Sequence, residues 1–436
     1  MAAGNQTQNT SLKDTFSFEW YRSLGEKGRP AFWASFGGWA FDGFDYMILS
    51  LALSGIAATF ALSKGETGLI ATVSLVVSAL GGVLAGILAD RIGRVRTLVL
   101  AIAFYCGGTF LSGLSPNYEA LLFFRALQGL GFGGEWAAGA LLVSEMSDPA
   151  QRGRVLGWVQ SAWAPGWAGA VVAFTVVFSI LPQNVAWRAL FWIGILPALF
   201  ILYVLRKVDE PEVYLKTRRA REARSREAVE SGATRSPLVQ IFRHDLIGRT
   251  AAASLLAIGA QGGYYSIFTW LPSYLEKARG LNAVGTGSYL ATVIIGSFLG
   301  YVISGYLHDL IGRRKTFALY AVLSAVLLVG YTRIPEGANG LLVVLGLPLG
   351  FFASGIYSGF GSYLAELFPS RARGAGQGFV YNFGRAVGGF FPLVIGILAA
   401  KVGLAAIALG AVGYAACVVA LLLLPETRGK RFVPIN

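Results

Sequence analysis

Five ionisable residues lie deep inside apolar stretches: Asp42 and Asp45 in the first stretch, Arg125 and Glu135 in the fourth, and Arg385 in the eleventh. A charge at membrane depth is expensive, so each needs a partner or a task. Asp42 and Asp45 are three apart and share a helix face, where crowding and desolvation would make one a carboxyl that takes and releases a proton. The alternative is that one aspartate only accepts bonds from the backbone or pairs with a base. On the fourth stretch, Gln128 and Glu135 lie about 60° and about 80° to either side of Arg125 on a helical wheel, giving one broad polar face. Glu135 is about 15 Å deeper than Arg125, too far for a direct bond. Arg125 suits bidentate capture of a substrate carboxylate, or it is the permanent partner of Asp42 or Asp45. Glu135 is either a proton relay or a buried pair. Arg385, with Tyr381 and Asn382 one turn before it, is a second anion-binding candidate. One cation in each half would let both halves compete for a single anion; the plainer reading is that Arg385 neutralises a first-stretch aspartate.

Further binding candidates are Gln261, Tyr264, Tyr265 and Phe268, at i, i+3, i+4 and i+7 in the seventh stretch. Weaker ones are Asn382, Tyr357, Gln160, Trp163 and Trp167; aromatic residues at this spacing more often pack than bind. No nucleophile, base and orienting residue can be assembled, since His244 falls in a polar segment and His308 at a stretch end. Cys106 and Cys417 are isolated in apolar runs, which offers no disulfide scaffold and no metal or redox site. No phosphate-binding glycine loop is found, so uphill work would need an ion gradient and no cofactor. The buried carboxylates favour protons over sodium. An enzyme is not expected.

These residues need a membrane to sit in. Of 436 residues 55% are hydrophobic and 14% charged, far more apolar than a water-soluble domain can hide. At about 20 residues per crossing the length accommodates twelve helices. Apolar runs fall near 31–60, 67–90, 97–114, 119–145, 154–180 and 188–205, then 247–274, 285–309, 316–332, 339–366, 375–400 and 404–424. This is an all-α membrane protein expected to have two six-helix bundles, 31–205 and 246–424. A polar linker, 206–245, joins them, with tails 1–30 and 425–436. Of the 36 Lys and Arg, 28 fall in the termini and even-to-odd loops and six in the opposite loops. Both termini and the linker are therefore cytoplasmic. The net charge of +13 reflects this asymmetry, so no nucleic-acid partner is inferred; the expected partners are lipid, protons and a small substrate, and the expected state is a monomer. The first thirty residues show no cleavable leader, and the first helix is expected to target the chain.

The halves repeat each other. Gly86, Asp90, Gly93 and Arg94 recur 219 residues later as Gly305, Asp309, Gly312 and Arg313. Glu145 and Arg152 recur as Glu366 and Arg373, and Pro211-Glu212 as Pro425-Glu426. The acid and arginine sets lie at cytoplasmic helix ends. Asp90, Arg94, Glu145, Arg152, Asp309, Arg313, Glu366 and Arg373 are read as cytoplasmic gate latches between the bundles, exchanged at modest cost.

The doubled glycine, aspartate and arginine motif, the six-plus-six layout and the Pro425 to Gly429 end resemble the major facilitator superfamily. The runs Gly38–Asp45, Arg125–Glu135 and Phe191–Pro197 resemble proton symporters of organic acids, the sialate and lactate branch and the neighbouring aromatic-acid symporters. The latter carry Asp-Gly-x-Asp on the first helix, matched here by Asp42, Gly43 and Asp45. The resemblance implies alternating access around a midplane cavity in a multi-pass bacterial inner-membrane protein. The expected function is proton-coupled uptake of a monocarboxylate or sugar acid. A neutral sugar or polyol carrier, a drug/proton antiporter and a non-transporting sensor are the alternatives. Two membrane arginines weigh against the first, an incomplete Gly-Pro pattern at Ala164, Pro165 and Gly166 against the second, and short termini against the third.

Overall fold

The computed structural model describes residues 19–147, 152–210, 240–369 and 372–428. Within them the chain is helical, with no strand. After a short helix at Glu19–Ser23 come α1 (Gly25–Thr59), α2 (Lys64–Ile92), α3 (Arg94–Gly113), α4 (Tyr118–Met146), α5 (Arg154–Ile180) and α6 (Gln183–Lys207). The second six are α7 (Ile247–Ser273), α8 (Ala283–Ile311), α9 (Arg313–Thr332), α10 (Asn339–Leu367), α11 (Arg373–Val402) and α12 (Leu404–Leu423). The twelve expected crossings are present. α1 begins at Gly25 rather than 31, because Pro30 falls in its first turns, where the ring costs no essential hydrogen bond.

Ten of the helices are long and apolar enough to cross a bilayer on composition alone. The two that fall short, α4 and α7, carry polar residues inward: Arg125, Gln128 and Glu135 on one, Gln261, Tyr264 and Tyr265 on the other. Helix starts are set locally. Ser63 and Glu66 form a reciprocal capping box on α2, Asn117 accepts from the Ala120 N–H at 2.9 Å, and Asn282 from the Gly285 N–H at 2.8 Å. The sharp α2–α3 and α8–α9 turns pass through Gly93 (φ 113°) and Gly312 (φ 101°), which a side chain would strain.

Each half repeats the same packing: α1 on α5 and α2 on α4 in the first, α7 on α11 and α8 on α10 in the second. The halves meet along α2–α11, α5–α8 and α1–α7. On the extracellular side that seam is closed by hydroxyls. Tyr46 pairs with Thr269 at 2.8 Å, Ser50 donates to the Thr269 carbonyl at 2.9 Å, and Ser54 pairs with Ser273 at 3.1 Å. The α1 donors are spaced i, i+4, i+8, so they form one stripe against α7. Lys64 adds a bond to the Ala399 carbonyl at 2.7 Å between α2 and α11.

Candidate functional site

The central cavity lies cytoplasmic of this seal and has a volume of about 310 Å³, within the range of small-molecule sites. Trp39, Phe132, Gln160 and Trp163 line it from the first half; Tyr264, Tyr265, Tyr301, Tyr357, Tyr381 and Arg385 from the second. Eight of the ten are aromatic and one is charged. Arg385 is 1% exposed, with its guanidinium 5.0 Å from the Phe132 centroid and 5.2 Å from that of Tyr381. It thus holds a ring from each half, a cation–π geometry that leaves the N–H edge free. Its Nε and Nη1, the Tyr264 and Tyr357 hydroxyls and the Trp163 indole N–H have no hydrogen-bond partner among the described residues. Orphaned donors around one void are a common mark of a ligand site.

The aspartates of α1 share a face but not their surroundings. Asp45 accepts from Thr109 Oγ1 of α3 and Gln128 Nε2 of α4, with Arg125 beside it. Arg125 Nε donates to Ser74 Oγ at 3.1 Å, Ser74 donates to the Arg125 carbonyl at 3.2 Å, and the guanidinium lies 5.7 Å from the Phe191 centroid. This cluster lies wholly in the first half and does not line the cavity. Asp42, one turn toward the cytoplasm, is fully buried beside Glu135. Neither Asp42 oxygen nor Glu135 Oε2 has a hydrogen-bond partner among the described residues. Glu135 Oε1 sits over Gly38, where a methyl group would collide with it. The cation acting on both carboxyls is Arg385. Each acid sits one helical turn behind a wall residue, Asp42 behind Trp39 and Glu135 behind Phe132, so Arg385 connects the pair to the cavity.

Of the other residues singled out in the sequence, Tyr264, Tyr265, Tyr357, Gln160 and Trp163 reach the cavity wall. Gln261 does not. Its Nε2 donates to the Tyr381 carbonyl at 2.9 Å and its Oε1 accepts from Tyr265 at 3.4 Å, which straps α7 to α11. Asn382 donates to the Gly378 carbonyl at 2.9 Å and turns Oδ1 toward Gly82 of α2. Trp167 packs edge-on to Phe268 at 5.0 Å. Tyr301 was missed: its ring is unremarkable in α8 until α10 is laid against it. Trp39 and Phe132 stood in the sequence only as parts of motif runs. Gly43, inside the aspartate motif, has a packing reason, since the Trp163 backbone crosses it too closely for a side chain. No cluster of three His, Cys, Asp or Glu among the described residues is placed to hold a metal.

At the cytoplasmic face, Arg313 reaches Asp309 at 2.5 Å and Glu366 through Nε at 3.2 Å and Nη2 at 2.9 Å. Glu426 accepts from the N–H groups of Arg313 at 2.9 Å and Arg314 at 3.0 Å, capping α9. These bonds run within the second bundle, not between bundles. Arg373 donates to the Ala365 carbonyl at 3.1 Å, also within that bundle. In the first half Arg94 reaches the Ala89 carbonyl at 2.8 Å, and Glu210 caps α3 through the N–H groups of Arg94 (2.8 Å) and Val95 (3.0 Å). Glu210 therefore does for α3 what Glu426 does for α9; Pro211 and Glu212, matched to Pro425 and Glu426 by sequence, lie outside the described residues, as do the side chains of Asp90, Glu145 and Arg152.

With this geometry in view, the chain matches the description of the Major Facilitator Superfamily over residues 36–310 and 286–435. A probable 4-methylmuconolactone transporter of Cupriavidus pinatubonensis is 42% identical over 418 residues, covering 94% of both chains. The cis,cis-muconate transport protein of Acinetobacter baylyi is 31% identical over 392 residues, 88% of this chain and 91% of the relative. Among solved structures, the inward-open xylose transporter XylE of E. coli superposes with a TM-score of 0.71 at 20% identity, over 92% of this chain and 97% of that one.

Proposed function

The chain belongs to the Major Facilitator Superfamily, and we propose that it is a proton-coupled importer of a small unsaturated or aromatic carboxylate across the bacterial inner membrane. One observation carries this reading: the single charged residue on the cavity wall is a cation, and it is shared with a buried pair of carboxyls. A flat acid fits the wall chemically, its ring among Trp39, Phe132, Trp163 and the tyrosines, its carboxylate on the free edge of Arg385. Tyr264 and Tyr357 supply hydroxyls for a second polar group. The relatives named for muconolactone and muconate transport agree with this chemistry. The likeness to a xylose transporter speaks only to the fold.

Coupling follows from one cation with two claimants. With the cavity empty, Arg385 balances the charge of Asp42 and Glu135. A substrate carboxylate takes the guanidinium, and the two acids, side by side and deprived of their counter-ion, hold a proton between them. A loaded, protonated carrier then crosses its midpoint with no uncompensated charge. A substrate-loaded carrier lacking the proton would bury a lone carboxylate at a cost of several kcal/mol, which forbids that leg of the cycle. With the outer seam shut by Tyr46, Ser50 and Ser54, the form described here faces the cytoplasm.

The test is uptake into proteoliposomes with an imposed pH gradient, alkaline inside, across muconate, nicotinate, benzoate, lactate and xylose. Transient accumulation of an unsaturated carboxylate that collapses with the gradient is expected. Accumulation of xylose instead, or acid uptake indifferent to the gradient, overturns the reading.

A further inference from the structure

Tyr105 of α3 stands among all three carboxyls of the first half. The charges acting on it include those of Asp42, Glu135 and Asp45, along with the neighbouring thiol of Cys106. Its side chain is fully buried, yet its hydroxyl has no hydrogen-bond partner among the described residues. One turn outward on the same face, Thr109 donates to Asp45. The α3 backbone at Tyr105 packs directly on Gly131, one turn from Glu135, so the ring is held at the depth of the acids. An enclosed hydroxyl left unpaired costs roughly 1–3 kcal/mol, a cost a packed helix face avoids unless the group has a use. Asp42, also unpaired at both oxygens, offers the acceptor such a donor lacks.

Resting on the proton-coupled reading above, we propose that the Tyr105 hydroxyl is the relay between Asp45 and the Asp42–Glu135 pair. The proton makes two concerted moves. The Asp45 carboxylic acid passes its proton to the Tyr105 oxygen while Tyr105 passes its own to a carboxylate oxygen of Asp42, leaving Asp45 ionised, Tyr105 neutral and Asp42 protonated. No co-reactant is needed, and the reverse hop returns the group to its start. Asp45, held by Thr109, Gln128 and Arg125, is then the outward station. The Asp42–Glu135 pair, balanced by Arg385, is the inward one. Tyr105 touches no substrate, which makes it a relay rather than a binding residue.

The experiment compares Tyr105→Phe with wild type in proteoliposomes by two readouts. One is accumulation driven by a pH gradient; the other is substrate counterflow, which requires no net proton movement. Phe is expected to cut driven accumulation tenfold or more while counterflow stays within twofold, and Tyr105→His, which restores a proton-carrying group, is expected to recover part of it. Driven accumulation within twofold of wild type in Tyr105→Phe overturns the relay. Equal loss of both readouts also overturns it, in favour of a packing role. Absence of gradient-driven uptake in wild type refutes the underlying coupling and not the relay alone. If Tyr105→Phe does not reconstitute, 3,5-difluorotyrosine at position 105 keeps the shape with a more acidic hydroxyl; the pH profile of driven uptake must then shift, and an unmoved profile overturns the proposal.

Discussion

Replacing Arg385 by Gln removes the only charged group on the cavity wall while keeping a polar side chain of similar reach. Two of its donors, Nε and Nη1, are unpartnered, so a substrate carboxylate meets a guanidinium with free hydrogen-bonding capacity. Charge-assisted hydrogen bonds contribute roughly 1.5–3 kcal/mol, which converts to about 10- to 150-fold in affinity. Counterflow in proteoliposomes isolates this loss from the driving force. The apparent KM of the acid is expected to rise within that range in Arg385→Gln, while the neutral amide of the same compound, which has no claim on the cation, changes little. Arg385→Lys should recover only part, because an ammonium cannot present a planar fork. A change below about threefold for the acid, or equal losses for acid and amide, would show that the carboxylate does not sit on Arg385.

Three other perturbations follow from the same geometry. Gly38→Ala places a methyl group where Glu135 Oε1 lies; the carboxyl is the end of a flexible side chain, so the protein is expected to fold normally but to lose pH-driven accumulation while keeping counterflow. Ser50→Ala with Ser54→Ala removes bonds from α1 to α7, each contributing about 1 kcal/mol, so the population should move roughly 10- to 30-fold toward the outward-open form. Spin-label distances between the α1–α2 and α7–α8 loops would lengthen; unchanged distances would assign the seal elsewhere. Burial alone would raise Glu426, but the N–H groups of Arg313, Arg428, Arg314 and Thr427 outweigh it and hold the carboxyl below its ordinary value. Its stabilisation is present above the unfolded value of about 4.3 and is lost as pH falls through the lower folded one. Glu426→Gln should therefore melt below wild type at pH 7 and converge with it in strong acid; a gap independent of pH would rule out the carboxylate as the source.

Much of this was legible in the sequence, and the parts that were not share a cause. Hydropathy fixes the helices because the bilayer demands continuous apolar stretches with internally satisfied backbones, and the loop arginines orient them. The charged residues stand out for the same reason: each is costly where it lies. What a single helix cannot report is which neighbour covers its face. Asp42 and Asp45 are one turn apart, but α3 and α4 supply Thr109 and Gln128 to one and Glu135 to the other. Arg125 and Arg385 look alike in sequence, yet α2 and Phe191 enclose the first, and only the second meets the opposing bundle. Gln261 looked like a ligand and is a strap, because the α11 carbonyl it reaches is invisible to a helical wheel. Tyr105 and Tyr301 gave no signal, since a tyrosine in an apolar run reads as packing until its hydroxyl is found without a partner or its ring on a cavity wall.

The most direct check on the shared-cation account is proton flux measured with a pH-sensitive dye trapped in the vesicles, when substrate is added outside without an imposed gradient. Wild type should acidify the interior as the acid enters, while Asp42→Asn and Glu135→Gln should exchange substrate with no dye response. Substrate entry by wild type with a silent dye, or an undiminished response in both variants, contradicts it.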